Sequence, residues 1–84
     1  MAARITVRTD PPGAPPGVVG YITGRDATYP EDLWVERDNF PTFARAADYA
    51  RHMARTYSVT PYRIKVRYFP LRYCVEYVPE WKLR

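Results

Sequence analysis

Arg63, Lys65 and Arg67 recur at every second position of Tyr62-Arg63-Ile64-Lys65-Val66-Arg67-Tyr68, with Tyr62, Ile64, Val66 and Tyr68 in between. In an extended chain that spacing sends the two sets to opposite faces. One face is suited to a core and the other is wholly cationic. Three outward positions of one sign are matched to an anionic partner, because guanidinium and ammonium groups form charge-assisted hydrogen bonds with phosphate and carboxylate. Arg72 can join them from the following strand. Arg4 and Arg8 can do so from the N-terminal segment if Ile5 and Val7 turn inward, and Glu76 would be the counter-charge within the face. A face that merely solubilises the sheet produces the same pattern.

Bond-making chemistry has poorer candidates. The single histidine, His52, falls on the polar side of a helical pattern between Arg51 and Arg55, and the single cysteine, Cys74, alternates within a strand with no histidine near it in the chain. A nucleophile needs a positioned base, so neither residue predicts catalysis. One Cys and one His fall short of the four ligands of a structural zinc site. Glu31 and Asp32 are adjacent, and neighbouring residues do not converge on one substrate as a glycosidase pair must. Gly20 and Gly24 lack the Lys-Ser/Thr of a phosphate loop. The expectation is a protein that is not an enzyme and takes no cofactor, metal or small-molecule substrate.

The elements that would position the cationic residues follow from periodicity. Arg4–Thr9 alternates as a first strand, and Asp10 to Gly17, with four prolines and two glycines, closes a hairpin into a second strand over Val18–Arg25. A short polyproline ligand is the other use of such a loop. Leu33-Trp34-Val35-Glu36-Arg37 predicts a third, short strand. From Phe43 the apolar residues Ala46, Ala47, Ala50, Met53, Ala54 and Tyr57 form a helical stripe, with Thr42 as N-cap and Arg45, Asp48, Arg51, His52 and Arg55 on the outer side. Because the stripe is mostly alanine, the helix can lie close to a sheet whose strands supply the large side chains. Tyr62 to Tyr68 and Arg72 to Val78 are two more strands joined across Phe69-Pro70-Leu71. The fold class is α+β: a two-layer sandwich with one helix on a mostly antiparallel sheet of four to five strands.

At 84 residues the chain makes one domain, 1–84, near the size at which a single core barely suffices. Its net charge of +4 hides a division. Residues 1–38 hold four arginines against six acids, net −2; residues 39–84 hold nine basic residues against three acids, net +6. The acids between Asp26 and Asp38 read as a solvated connection. A lone cysteine excludes a disulfide framework, and no apolar run reaches the roughly 18 residues of a membrane span. A soluble, cytoplasmic protein is expected.

The stretch Val35-Glu36-Arg37-Asp38-Asn39-Phe40-Pro41-Thr42-Phe43-Ala44-Arg45-Ala46-Ala47-Asp48-Tyr49-Ala50, followed by Ile64-Lys65-Val66-Arg67 and a closing strand, resembles the strand, helix, strand, strand plan of small phage-encoded proteins, type I anti-CRISPR proteins among them. The resemblance covers residues 33–78 and lies in patterning, without a diagnostic motif. It implies a non-enzymatic inhibitor that binds a larger host protein or ribonucleoprotein complex, such as a surveillance complex; many members are acidic mimics of DNA, which this chain is not. Combined with the cationic face, the expectation is docking through Arg63, Lys65, Arg67, Arg72, Arg4 and Arg8. The alternative is a nucleic-acid-binding domain with weakly specific, backbone-directed recognition, since Arg63–Phe69 lacks the glycines of an RRM strand and one helix cannot supply a helix-turn-helix.

Overall fold

A computed structural model of the chain describes residues 7, 9, 15–22, 29–56 and 61–83. Four strands, β1 (Val18–Ile22), β2 (Val35–Phe40), β3 (Tyr62–Arg67) and β4 (Arg72–Tyr77), form one antiparallel sheet in the order β1-β3-β4-β2. A single helix, α1 (Phe43–Thr56), packs on one face, which is the expected α+β arrangement. No helix among the described residues is long and apolar enough to cross a membrane. Most of the first strand predicted over Arg4–Thr9 and of its connection to β1 lies outside the described residues, as do Arg4 and Arg8 themselves; of that strand segment Val7 is half-buried against the core and Thr9 is exposed.

Thr42 caps α1 as expected, its Oγ1 accepting the Arg45 backbone N–H at 3.3 Å. Ala46, Ala47, Ala50, Met53 and Ala54 are buried, so the predicted stripe is the face that meets the sheet. Alanine at these positions lets the helix backbone approach while Tyr62, Ile64, Val75 and Ile22 fill the space from the strands. Full burial of a residue such as Ile64 or Val75 contributes about 1.5–3 kcal/mol. Aromatic contacts close both ends of this layer: Phe43 meets Tyr73 edge-on at 6.1 Å, Phe40 meets Tyr49 at 5.0 Å, and Tyr62 stacks on its cross-strand neighbour Tyr77 at 6.1 Å.

One boundary differs from expectation. The third strand begins at Val35, because Glu31–Leu33 forms a 3₁₀ turn. β1 spans Val18–Ile22, the remainder of the strand expected to Arg25 lying outside the described residues, and its register against β3 shifts between Val18 and Gly20, a bulge at the glycine within the strand. Gly17 leads into β1 with φ +87°, a left-handed conformation natural to glycine, and its carbonyl accepts the Val66 N–H at 2.8 Å. That bond ties the start of the edge strand to the end of β3.

Candidate functional site

The strand alternation puts the cationic residues on the face away from α1, as expected, but that face is not open. Arg63 is only 2% exposed. Its Nη2 lies 2.6 Å from Glu31 Oε2, its Nε donates to Glu76 Oε1 at 2.7 Å, and its guanidinium sits over the Trp34 ring at 4.5 Å. Tyr21 and Tyr29 press edge-on against the same indole at 6.3 and 6.2 Å, and Lys82 Nζ donates to the Asp32 carbonyl at 2.9 Å, tying the C-terminal turn to the segment. Residues 29–34 thus roof one end of the sheet. Burial works against the Arg63 charge, yet the hydrogen bonds to Glu31 and Glu76 outweigh it and its pKa rises above the ordinary arginine value. The expectation that Arg63 serves partner binding is corrected: it is a structural cation, and Glu31 reaches it from an acidic connection that is itself exposed.

Three apolar residues are also buried outside the helix-facing layer. Cys74 and Val78 alternate with the helix-facing Tyr73, Val75 and Tyr77, and Val18 stands opposite Lys65; all three are buried outside the helix-facing core. Burial first, then a hydrogen bond with Glu36, pushes the Cys74 thiol up to about 11. A neutral thiol is a poor nucleophile. His52 is exposed on the outer side of α1, where Arg51 Nη1 pairs with Asp48 at 3.0 Å, so the sheet lies between the histidine and the thiol. Among the described residues no three His, Cys, Asp or Glu side chains come together as a metal site.

The hairpin end of the face is different. Arg67 and Arg72 are directly opposite one another on β3 and β4, a like-charge pair that is unfavourable by itself. Two residues of β2 offset it. Glu36 Oε1 accepts from Arg67 Nη1 at 3.3 Å, and Asn39 accepts from Arg72 twice, through Oδ1 at 2.8 Å and its backbone oxygen at 3.3 Å. Asn39 Nδ2 in turn donates to Glu36 Oε2 at 3.2 Å, closing the network. Lys65, half-buried, adds a third cation and has no carboxylate partner among the described residues.

Beyond these cations the β3–β4 connection projects Tyr68, Phe69 and Leu71 into solvent, with Tyr68 66% and Phe69 101% exposed. Phe69 holds φ 63°, in the left-handed region that non-glycine residues rarely occupy. Tyr68 was expected on the core side of its strand, but β3 ends at Arg67 and the chain turns away before Tyr68 reaches the helix. The site expectation named no residue of this apolar tip. Its signal was present as three large apolar residues at a hairpin turn, where glycine, asparagine and aspartate are the usual occupants. A further exposed apolar spot, Trp81 and Leu83, follows β4 beyond the other end of the strand. No family model, no curated protein and no solved structure matches the chain.

Proposed function

We propose that the chain is a non-enzymatic binding protein that docks on a larger host protein or ribonucleoprotein complex through the hairpin end of its sheet. Tyr68, Phe69 and Leu71 are the anchors, and Lys65, Arg67 and Arg72 are the charged rim. An inhibitor of the anti-CRISPR kind, which the chain resembles in patterning, likewise acts by binding without catalysis. The observation that carries the proposal is Phe69: fully exposed and left-handed, it incurs strain without burying its ring inside the fold. A ring held out in this way gains its contacts from another molecule, and central aromatic anchors with a polar rim are how protein interfaces concentrate their energy.

Immobilised full-length chain and its Phe69→Ala variant, offered the same nuclease-treated bacterial lysate, test the proposal. A hot-spot aromatic is worth about 2 kcal/mol or more, so the protein retained by the parent should bind the variant at least roughly 30-fold more weakly. Equal retention by both would remove the tip from the function. The second reading, direct nucleic-acid binding, is supported by the same three cations and by the capacity of an exposed ring to stack on a base. It requires binding to bare oligonucleotide that weakens steeply with salt, whereas the protein-docking reading requires none at physiological salt.

A further inference from the structure

Resting on that docking reading, we infer that Arg67 and Arg72 form a preorganised clamp for a carboxylate of the partner, held in place by Glu36 and Asn39, and that Glu36 occupies part of the clamp until the partner arrives. A guanidinium carries five N–H donors in a fixed fork. Arg67 spends one on Glu36, and Arg72 spends its Nε and one Nη on Asn39. The remaining donors of both have no partner among the described residues, and the two side chains sit on one face, opposite each other across the hairpin. Asn39 neutralises nothing, so its role is to orient Arg72 and to hold the Glu36 carboxylate by its amide.

The distribution of charge selects a carboxylate over a phosphate backbone. Among the described residues, Lys65, Arg67 and Arg72 at the hairpin end face a single acid, Glu36, leaving a local excess of +2. Four residues back along β3, about 13 Å away, Arg63 is shared by Glu31 and Glu76, so the described groups at that end of the face leave a local excess of −1. A nucleic-acid strand tracking the sheet would run from cations into carboxylates. A single acidic side chain beside an apolar pocket meets only the cationic end, and its pocket receives Phe69. The footprint is a point, which is the shape of an aspartate or glutamate on a protein surface.

The test follows the arginine Nε–H signals of the ¹⁵N-labelled full chain during titration with an acetylated, amidated tetraglutamate peptide, against sodium chloride of equal ionic strength and against a thymidine decanucleotide. The Arg67 and Arg72 signals should move together and saturate with the peptide, while Arg63 stays fixed. Glu36→Gln should tighten the peptide several-fold by removing the internal competitor, and Arg72→Gln should weaken it about tenfold. The inference is overturned if both signals follow ionic strength alone, if Arg45 and Arg55 shift equally, if Glu36→Gln weakens the peptide, or if the oligonucleotide saturates first. In the lysate experiment Arg67→Gln/Arg72→Gln separates the two levels. Capture unchanged by that pair but lost with Phe69→Ala refutes the clamp and keeps the docking reading, whereas capture unchanged by Phe69→Ala refutes the docking reading itself.

Discussion

Replacing Arg63 by methionine tests whether its charge belongs to the fold or to a partner surface. Arg63→Met keeps an unbranched side chain of similar length under Trp34 but leaves Glu76, whose side chain is 15% exposed, without its 2.7 Å partner. Stranding one member of a buried ion pair costs about 3–5 kcal/mol. Against the roughly 4–13 kcal/mol that an 84-residue domain can hold, that is a large fraction of the whole. Glu31, about half exposed at the same guanidinium, can turn into water, so Glu31→Gln should cost no more than about 1 kcal/mol. Removing both buried charges in Arg63→Met/Glu76→Met should return most of the loss, because a well-packed apolar pair is often as stable as the ions it replaces. Urea unfolding of the three variants and the parent, followed by far-ultraviolet circular dichroism and tryptophan emission, yields each free energy. A cost below about 1 kcal/mol for Arg63→Met would mean the guanidinium is solvated, and Arg63 would return to the candidate docking face.

Ala50 is fully buried on the sheet-facing side of α1, so Ala50→Leu should overpack the helix–sheet layer and cost about 1–3 kcal/mol; an unchanged melting temperature would contradict the helix orientation. Phe69→Asn should leave stability unchanged or raise it by up to about 1 kcal/mol, since asparagine tolerates φ 63° better than phenylalanine, while abolishing capture of the partner; a destabilised variant would mean the ring supports the fold. For Cys74 the fold favours the neutral thiol, moving its pKa from 9.0 to about 11. The stabilisation from that shift is fully present below pH 9.0 and fades as pH rises through about 11, so alkylation by iodoacetamide should show an inflection near 11 in the native protein and near 9.0 in urea. A native inflection at or below the unfolded one would show the thiol to be solvated.

Much of the architecture was legible because two strong periods dominate the second half of the chain. The alanine stripe from Phe43 and the alternations in Tyr62–Arg67 and Arg72–Tyr77 each specify one buried face, and those faces meet in the structure. Less was legible around Leu33–Phe40, where Trp34 serves the far face of the sheet and Val35 opens the strand. Glu36, Arg37, Asp38 and Asn39 make β2 look like a loop, although charged residues and a bulge between Glu36 and Asp38 are what a protected edge strand carries. Alternation identifies which residues share a face. It is silent on what covers that face, so the roof of Glu31, Tyr29 and Trp34 over Arg63 was not foreseen.

The division of charge along the chain contains a clue that local patterns hide. An N-terminal half at −2 and a C-terminal half at +6 need not indicate a basic surface for a partner when strands from both halves lie in one sheet. β2 and its preceding turn bring Glu31 and Glu36 to the face that β3 and β4 supply with Arg63, Arg67 and Arg72, and acids from the first half meet bases from the second at 2.6 and 3.3 Å. Such neutralisation is uneven, because a roofed end gathers carboxylates at short range in a low-dielectric setting while the hairpin end stays in water. Among the described residues compensation is weakest around Lys65, Arg67 and Arg72, and the exposed Tyr68 and Phe69 follow Arg67 directly in the β3–β4 turn, so the charge left over and the apolar surface left out converge on one end of the sheet.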